Sequence, residues 1–240
     1  LCRPRGTPLG RELPQCAGDL AFAEAPARFA VVGVGARMAI VRLSSGELLL
    51  HSPIKASPEL VAEVQALGPI AYLPAPNKLH HLFVGEWKSA VPEAKVFVAP
   101  GLETKRADLA IDGLLGADPE PGWADALDQT SLDGFPFANE IVFFHRASRT
   151  LIASDLAFNI DETMPFLTRA FFRLAGTFGQ LSPTLLERVL VRDKAAFGHS
   201  LNRIFAWPFE RVVVAHGSIS ETGGRESLLK AYAWALSAAA

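Results

Sequence analysis

Apolar residues fall into short runs separated by Gly, Pro and Ser breaks along the 240 residues. FAVVGV, from Phe29, and MAIVRL, from Met38, have the length and Val/Ile content of strands. A Ser-Ser-Gly turn joins MAIVRL to ELLLHSP, which predicts a β-hairpin. A helix follows: Ser57 suits its cap, Pro58 its first position and Gly68 its stop, while Leu60, Val64 and Leu67 share one face. PIAYLPAPN predicts a strand running into a loop, HHLFVGEWKSAV a short helix and AKVFVAPG another strand. Leu102 to Asp133 is polar and carries Pro and Gly, which predicts loop with short strands. NEIVFFH and TLIASD, bracketing RASR, predict a second hairpin. Glu162 to Trp207 lacks strand alternation and reads as helical, with a fresh start at Ser182-Pro183. RVVVAHG predicts a buried strand and SLLKAYAWALSAA a C-terminal helix. No fixed repeat period is present. This order implies an α/β layout whose sheets need helical cover. Residues 1–20 are expected to be an irregular arm and 21–240 a single domain.

Composition narrows the function classes. Half the residues are hydrophobic and a fifth charged, enough apolar material for a packed core. A net charge of -2 argues against nucleic acid as a partner. Two cysteines, Cys2 and Cys16, exclude a disulfide-dense scaffold and a cysteine-rich zinc module; they read as two thiols in a loose segment, with a disulfide between them as the alternative. No run reaches the roughly 18 apolar residues of a membrane span, and LCRPRGTPLGRELPQ lacks the apolar core of a signal peptide. The expectation is a soluble, cytoplasmic protein acting on a small molecule, its oligomeric state left open.

Chemistry concentrates at strand ends. His51 closes LLLH, His80 and His81 follow PAPNKL, Asp155 closes TLIASD and His216 closes RVVVA. In layered α/β proteins ligands collect beyond strand ends. His145 also ends a strand, whereas His199 lies in a helical segment and reads as structural. A strand-end His is more often a hydrogen-bonded surface group than a ligand, and an Asp there is commonly a turn former; four such coincidences together favour a metal site. GVGARM lacks a following nucleotide-binding helix, GTFGQLS reads as a helix break, FFRLAGTF with its neighbouring Phe residues could touch a membrane although buried packing is the commoner reading, and no G-x-S-x-G elbow supports a serine hydrolase.

Together LLLHSP, PNKLHH, PGLETKR, NEIVFFHRASRTLIASDL and VVVAHG resemble the metallo-β-lactamase-like superfamily, and within it an uncharacterised family known as a domain of unknown function. The resemblance runs from about Met38 to the C-terminus. It implies an αββα four-layer sandwich with the site at one edge, between the sheets. Laying the superfamily's H-x-H-x-D-H loop on Pro76, Lys78, His80 and His81 puts donors on His80 and His81, a bridging carboxylate on Asp155 and a final ligand on His216. Pro76 and Lys78 then replace two ligands of the first metal, and its third falls near Pro136, where no donor stands. The resemblance thus implies one zinc or similar divalent ion held by His80, His81, Asp155 and His216, with Lys78 and Asp155 catalytic. His51, Asn77, Glu140 and His145 would support the ligands or join them. The implied function is a single-metal hydrolase. The alternative is a superfamily member with a degenerate site and no metal or no turnover, serving in binding or as a scaffold.

Overall fold

The computed structural model describes residues 18–29 and 32–236. The two cysteines, most of the expected arm, Ala30, Val31 and residues 237–240 lie outside the described residues. The first sheet has six strands, in the spatial order β1 (Leu20–Ala25), β4 (Ala36–Arg42), β5 (Leu48–His51), β6 (Ile70–Ala75), β7 (Lys95–Val98), β8 (Gly113–Leu114). Between β1 and β4, β2 (Arg28–Phe29) and β3 (Val32–Gly33) form a small ribbon. The second sheet runs β14 (Arg211–Val213), β11 (Thr150–Ile152), β10 (Ile141–His145), β9 (Leu127–Ser131), and β12 (Phe158–Asn159) pairs separately with β13 (Leu181–Ser182).

Both predicted hairpins form, β4 with β5 and β10 with β11, each antiparallel. Strand β1 was not expected; LAFAEA is poor in β-formers and is held by full pairing along β4. Strand β13 interrupts the stretch expected to be helical, because Gly176 and Gly179, both at positive φ, turn the chain back onto β12.

Side-chain alternation places the layers. Ile141, Phe143, Ile152 and Val213 pack into the same apolar cluster as the first sheet, with Leu60 and Val64 of α1 (Pro58–Gln65) and Trp87 of α2 (Val84–Ala90). Their neighbours Val142, Phe144, Leu151 and Val212 face the opposite way. There they meet Leu201 and Ile204 of α6 (Lys194–Ala206) and Leu228 of α7 (Gly224–Ala231). The order is helix, sheet, sheet, helix, as expected. Helix α3 (Leu102–Lys105) follows β7, α4 (Phe166–Leu174) and α5 (Leu185–Leu190) flank β13, and α8 (Ala233–Leu236) follows a break at Tyr232.

Helix α5 begins two residues after the Ser182-Pro183 signal, because Thr184 and Glu187 make a capping box. Burial pushes the Glu187 carboxyl up to about 7, against its hydrogen bonds from Thr184. The folded state therefore holds this proton more tightly than the unfolded chain does. The associated stability is full below the ordinary value of 4.5 and is lost as pH rises through about 7. Glu187→Gln keeps the capping geometry, so it should gain stability on the wild type as pH rises from about 5 to about 8. Urea midpoints at the two pH values test this, and a constant difference between the proteins would contradict it.

Candidate metal centre

The loop after β6 is stitched to the second sheet: Ile141 N–H donates to the Pro76 carbonyl and Lys78 N–H to that of Ala138. Asn77, wholly buried, organises it. Its Oδ1 accepts from the amides of Leu79 (2.9 Å) and His80 (2.7 Å), and its Nδ2 donates to Asp155 Oδ2 at 2.7 Å. Ser52, just past β5 and at φ 55°, places its hydroxyl 2.6 Å from His80 Nδ1. The far side of that ring brings Nε2 to 3.3 Å from Asp155 Oδ2.

Asp155 follows β11. The wholly buried Glu140 carboxyl accepts from the backbone amides of Ser154 and Asp155, fixing the turn that presents Asp155. Burial, and then repulsion from Asp155, raise the Glu140 carboxyl above its ordinary range. Burial alone would raise Asp155 too, but His80, His216 and Asn77 hold it below the usual carboxylate range.

His216 lies in the loop after β14. Its Nδ1 is 2.6 Å from the Gly35 carbonyl. A carbonyl only accepts, so Nδ1 carries the proton and Nε2 keeps its lone pair, 3.7 Å from Asp155 Oδ1. Burial and the neighbouring His80 lower the basicity of the ring. Phe158 stacks on its face with centroids 5.6 Å apart, and Arg37 braces the loop through the Val214 and Gly217 carbonyls.

One donor atom each from His80, Asp155 and His216 lies within 4.8 Å of the others. A tetrahedral ion with bonds of about 2.1 Å separates its donors by about 3.4 Å. His80 Nε2 lies 3.3 Å from Asp155 Oδ2 and His216 Nε2 3.7 Å from its Oδ1, separations on that scale though to the two different oxygens. Two imidazoles and a carboxylate suit a divalent ion of the zinc type, so the residues fit the group.

The remaining expected residues are placed differently. His81 is buried but stands apart from the cluster. Arg106 Nη1 lies 3.1 Å from its Nδ1 and 2.8 Å from its carbonyl oxygen, so Nδ1 is an acceptor already in use. Burial, Lys105 and Arg106 lower His81 to about 4. Lys78 extends to the Pro136 carbonyl, 3.1 Å from Nζ. His51 is buried at the end of β5, edge-on to Phe143, with no hydrogen-bond partner at Nε2; burial and His80 lower it to about 3. His145 is at the wrong end of its strand: it pairs with Thr150, where β11 begins, whereas Asp155 follows where β11 ends. It bonds to Ser148 instead, at 2.7 Å. His199 is exposed on α6. Sequence reasoning missed Ser52, Gly35, Arg37 and Phe158. Gly35 and Arg37 sit in GVGARM, whose glycine signals a backbone turn that frees a carbonyl.

The sequence profile described as Domain of unknown function (DUF4336) matches residues 22–178. The chain belongs to this family. The DUF4336 match includes His80, Glu140 and Asp155 and ends before His216. No curated protein matches the sequence. In structure the DUF4336 chain is similar to a metallo-β-lactamase from Erythrobacter litoralis (TM-score 0.66, 10% identity, covering 93% of this chain and 96% of the other). It is also similar to a metallo-β-lactamase from Pontibacter korlensis (TM-score 0.63, 13% identity, covering 91% and 96%). A third similar structure is the metallo-β-lactamase FIM-1 from Pseudomonas aeruginosa in its mono-zinc form (TM-score 0.64, 13% identity, covering 98% of both chains). The DUF4336 chain thus has the metallo-β-lactamase fold, with a His/Asp cluster suited to a metal. Among the described residues no helix is long and apolar enough to cross a membrane.

Proposed function

We infer that this protein is a hydrolase working with a single zinc-type ion held by His80, Asp155 and His216. One observation carries the reading: both imidazoles are engaged at Nδ1 from behind, by Ser52 and Gly35, and both turn Nε2 onto one buried carboxylate. Supporting groups behind ligands are the mark of a built metal site. A divalent ion there supplies Lewis acidity and lowers the pKa of water. Asn77 and Glu140 hold Asp155, Phe158 excludes water from one face of His216, and Lys78 would have to leave the Pro136 carbonyl to offer its cation to a developing oxyanion. His81 steadies Arg106 and the loop rather than binding the ion.

Pro76 has no donor side chain and the Lys78 ammonium is tethered at Pro136, so we expect at most one tightly bound metal per chain. Elemental analysis of protein purified without added metal should give a stoichiometry of one or less. Lys78→His alone should not add a second ion, since Pro76 would still offer no donor. Two ions per wild-type chain between the sheets would overturn the ligand set. The tethered Lys78 also favours a second reading, a binding protein that has lost hydrolysis. Tight zinc binding with no turnover of ester, thioester, phosphodiester or lactam substrates would select it.

A further inference from the structure

Leu114 of β8 aside, the large apolar side chains left exposed lie on the loop after β6, just before β10, and on α4 and α5, elements that border the candidate metal centre. Leu79 and Leu82 flank the two loop histidines, and Phe137 precedes β10 beside the Lys78 tether. The rest of the patch comes from α4 and α5. Phe166, Leu167 and Leu174 project from α4 at 69, 64 and 87% exposure, and Val189 from α5 at 80%. The buried side of α4 reaches the site: Phe172 packs on Phe158, which stacks on His216. FFRLAGTF was read as buried packing ahead of membrane contact, yet α4 buries only Thr168 and Phe172 and turns an apolar stripe of Phe166, Leu167, Phe171 and Leu174 outward.

We propose that this edge docks on the surface of an anionic phospholipid bilayer, inserting the exposed faces of α4 and α5. Three observations favour a bilayer over other occupants. The side chains project from two short helices instead of lining a groove, and a bilayer accepts such a convex apolar face without shape complementarity. The cavity beneath, between Asp155 and Trp234, has a volume of about 10 Å³, room for one water at most and too small for an acyl chain. The charge is also complementary. From Phe166 to Lys194 the cations are Arg169, Arg173, Arg188, Arg192 and Lys194, against Glu187 and Asp193, in a chain of net charge -2. Glu187 and Asp193 are occupied in capping α5 and α6. Glu162 reaches Arg169 and Arg173 from the surface, an exposed pairing of little worth that lipid phosphates can replace. An amphipathic face of Phe and Leu flanked by arginine is the signature of a helix lying in the interface.

This binding does not depend on the metal reading, so its test uses no substrate. The full chain is floated with phosphatidylcholine vesicles containing about 30% phosphatidylserine, and with pure phosphatidylcholine. We expect it to float with the anionic vesicles and much less with the neutral ones, the difference shrinking as salt rises. The double variant Leu174→Asp/Val189→Asp changes two highly exposed positions and should float about tenfold less, with an unchanged melting temperature. Ala62→Asp, on the exposed side of α1, should float as the wild type does. If the double variant melts early, Val189→Ser alone replaces it and should still reduce flotation. Failure of the wild type to float with anionic vesicles overturns the proposal. So does equal flotation of the folded variant, or a wild-type dimer that the same substitutions dissociate while vesicles capture nothing.

Discussion

Replacing Asp155 with asparagine is expected to weaken zinc binding by more than the roughly 100-fold that loss of a supporting group costs. Asp155 is the one group that both imidazoles face, and it is the only anionic donor of the three. Asparagine has the same shape but no charge, so the fold should survive while the affinity does not. The comparison that gives the measurement its force is His81→Ala. Its ring is turned to Arg106, so the change should shift affinity only about as much as a supporting group does, 10- to 100-fold at most. Competition with a chromophoric chelator reads both. If His81→Ala equals Asp155→Asn, the ligand set of His80, Asp155 and His216 is wrong.

Glu140→Ala is expected to destabilise the protein by about 3 kcal/mol, since two buried amides lose their acceptor at about 1–3 kcal/mol each. Burial and Asp155 raise the Glu140 carboxyl, so at neutral pH its removal relieves little charge. Glu140→Gln keeps one acceptor and should cost about 1 kcal/mol. Urea denaturation separates the two variants. The same pair should rank alike in metal affinity, because the turn that presents Asp155 hangs from these bonds. Equal stability of both variants would mean that the amides of Ser154 and Asp155 find another acceptor.

The sandwich was legible because its strands are apolar runs closed by polar residues, and because β10 and β11 are joined by an evident turn. The meeting of His80, Asp155 and His216, the proposed ligands, was legible for the same reason: each follows a strand, where parallel neighbours bring strand ends together. The choice between His80 and His81 was not. Both occupy one loop, and what turns one ring inward is a side-chain turn at Asn77 and a hydroxyl from Ser52, neither of which leaves a periodic signal. His145 shows the opposite limit. Its local setting matches that of a ligand, and only the antiparallel register of β10 sends it to the far end. The apolar stripe of α4 was legible as either packing or a membrane contact, and the commoner reading lost: periodicity marks the stripe of Phe166, Leu167, Phe171 and Leu174 without saying what it faces.

The bond from His216 to the Gly35 carbonyl joins residues 181 positions apart. During synthesis Gly35 waits for almost the whole remaining chain before its partner leaves the ribosome, and β14 must first align parallel to β11. Such distant pairings are the slow steps of folding. A nascent chain therefore holds His80 and Asp155 long before it holds a complete set of donors. On the proposed ligand set, a zinc-type ion would not seed this fold in the way it seeds a small zinc module. It would enter last, and its capture would report that the segments around Gly35 and His216 have met.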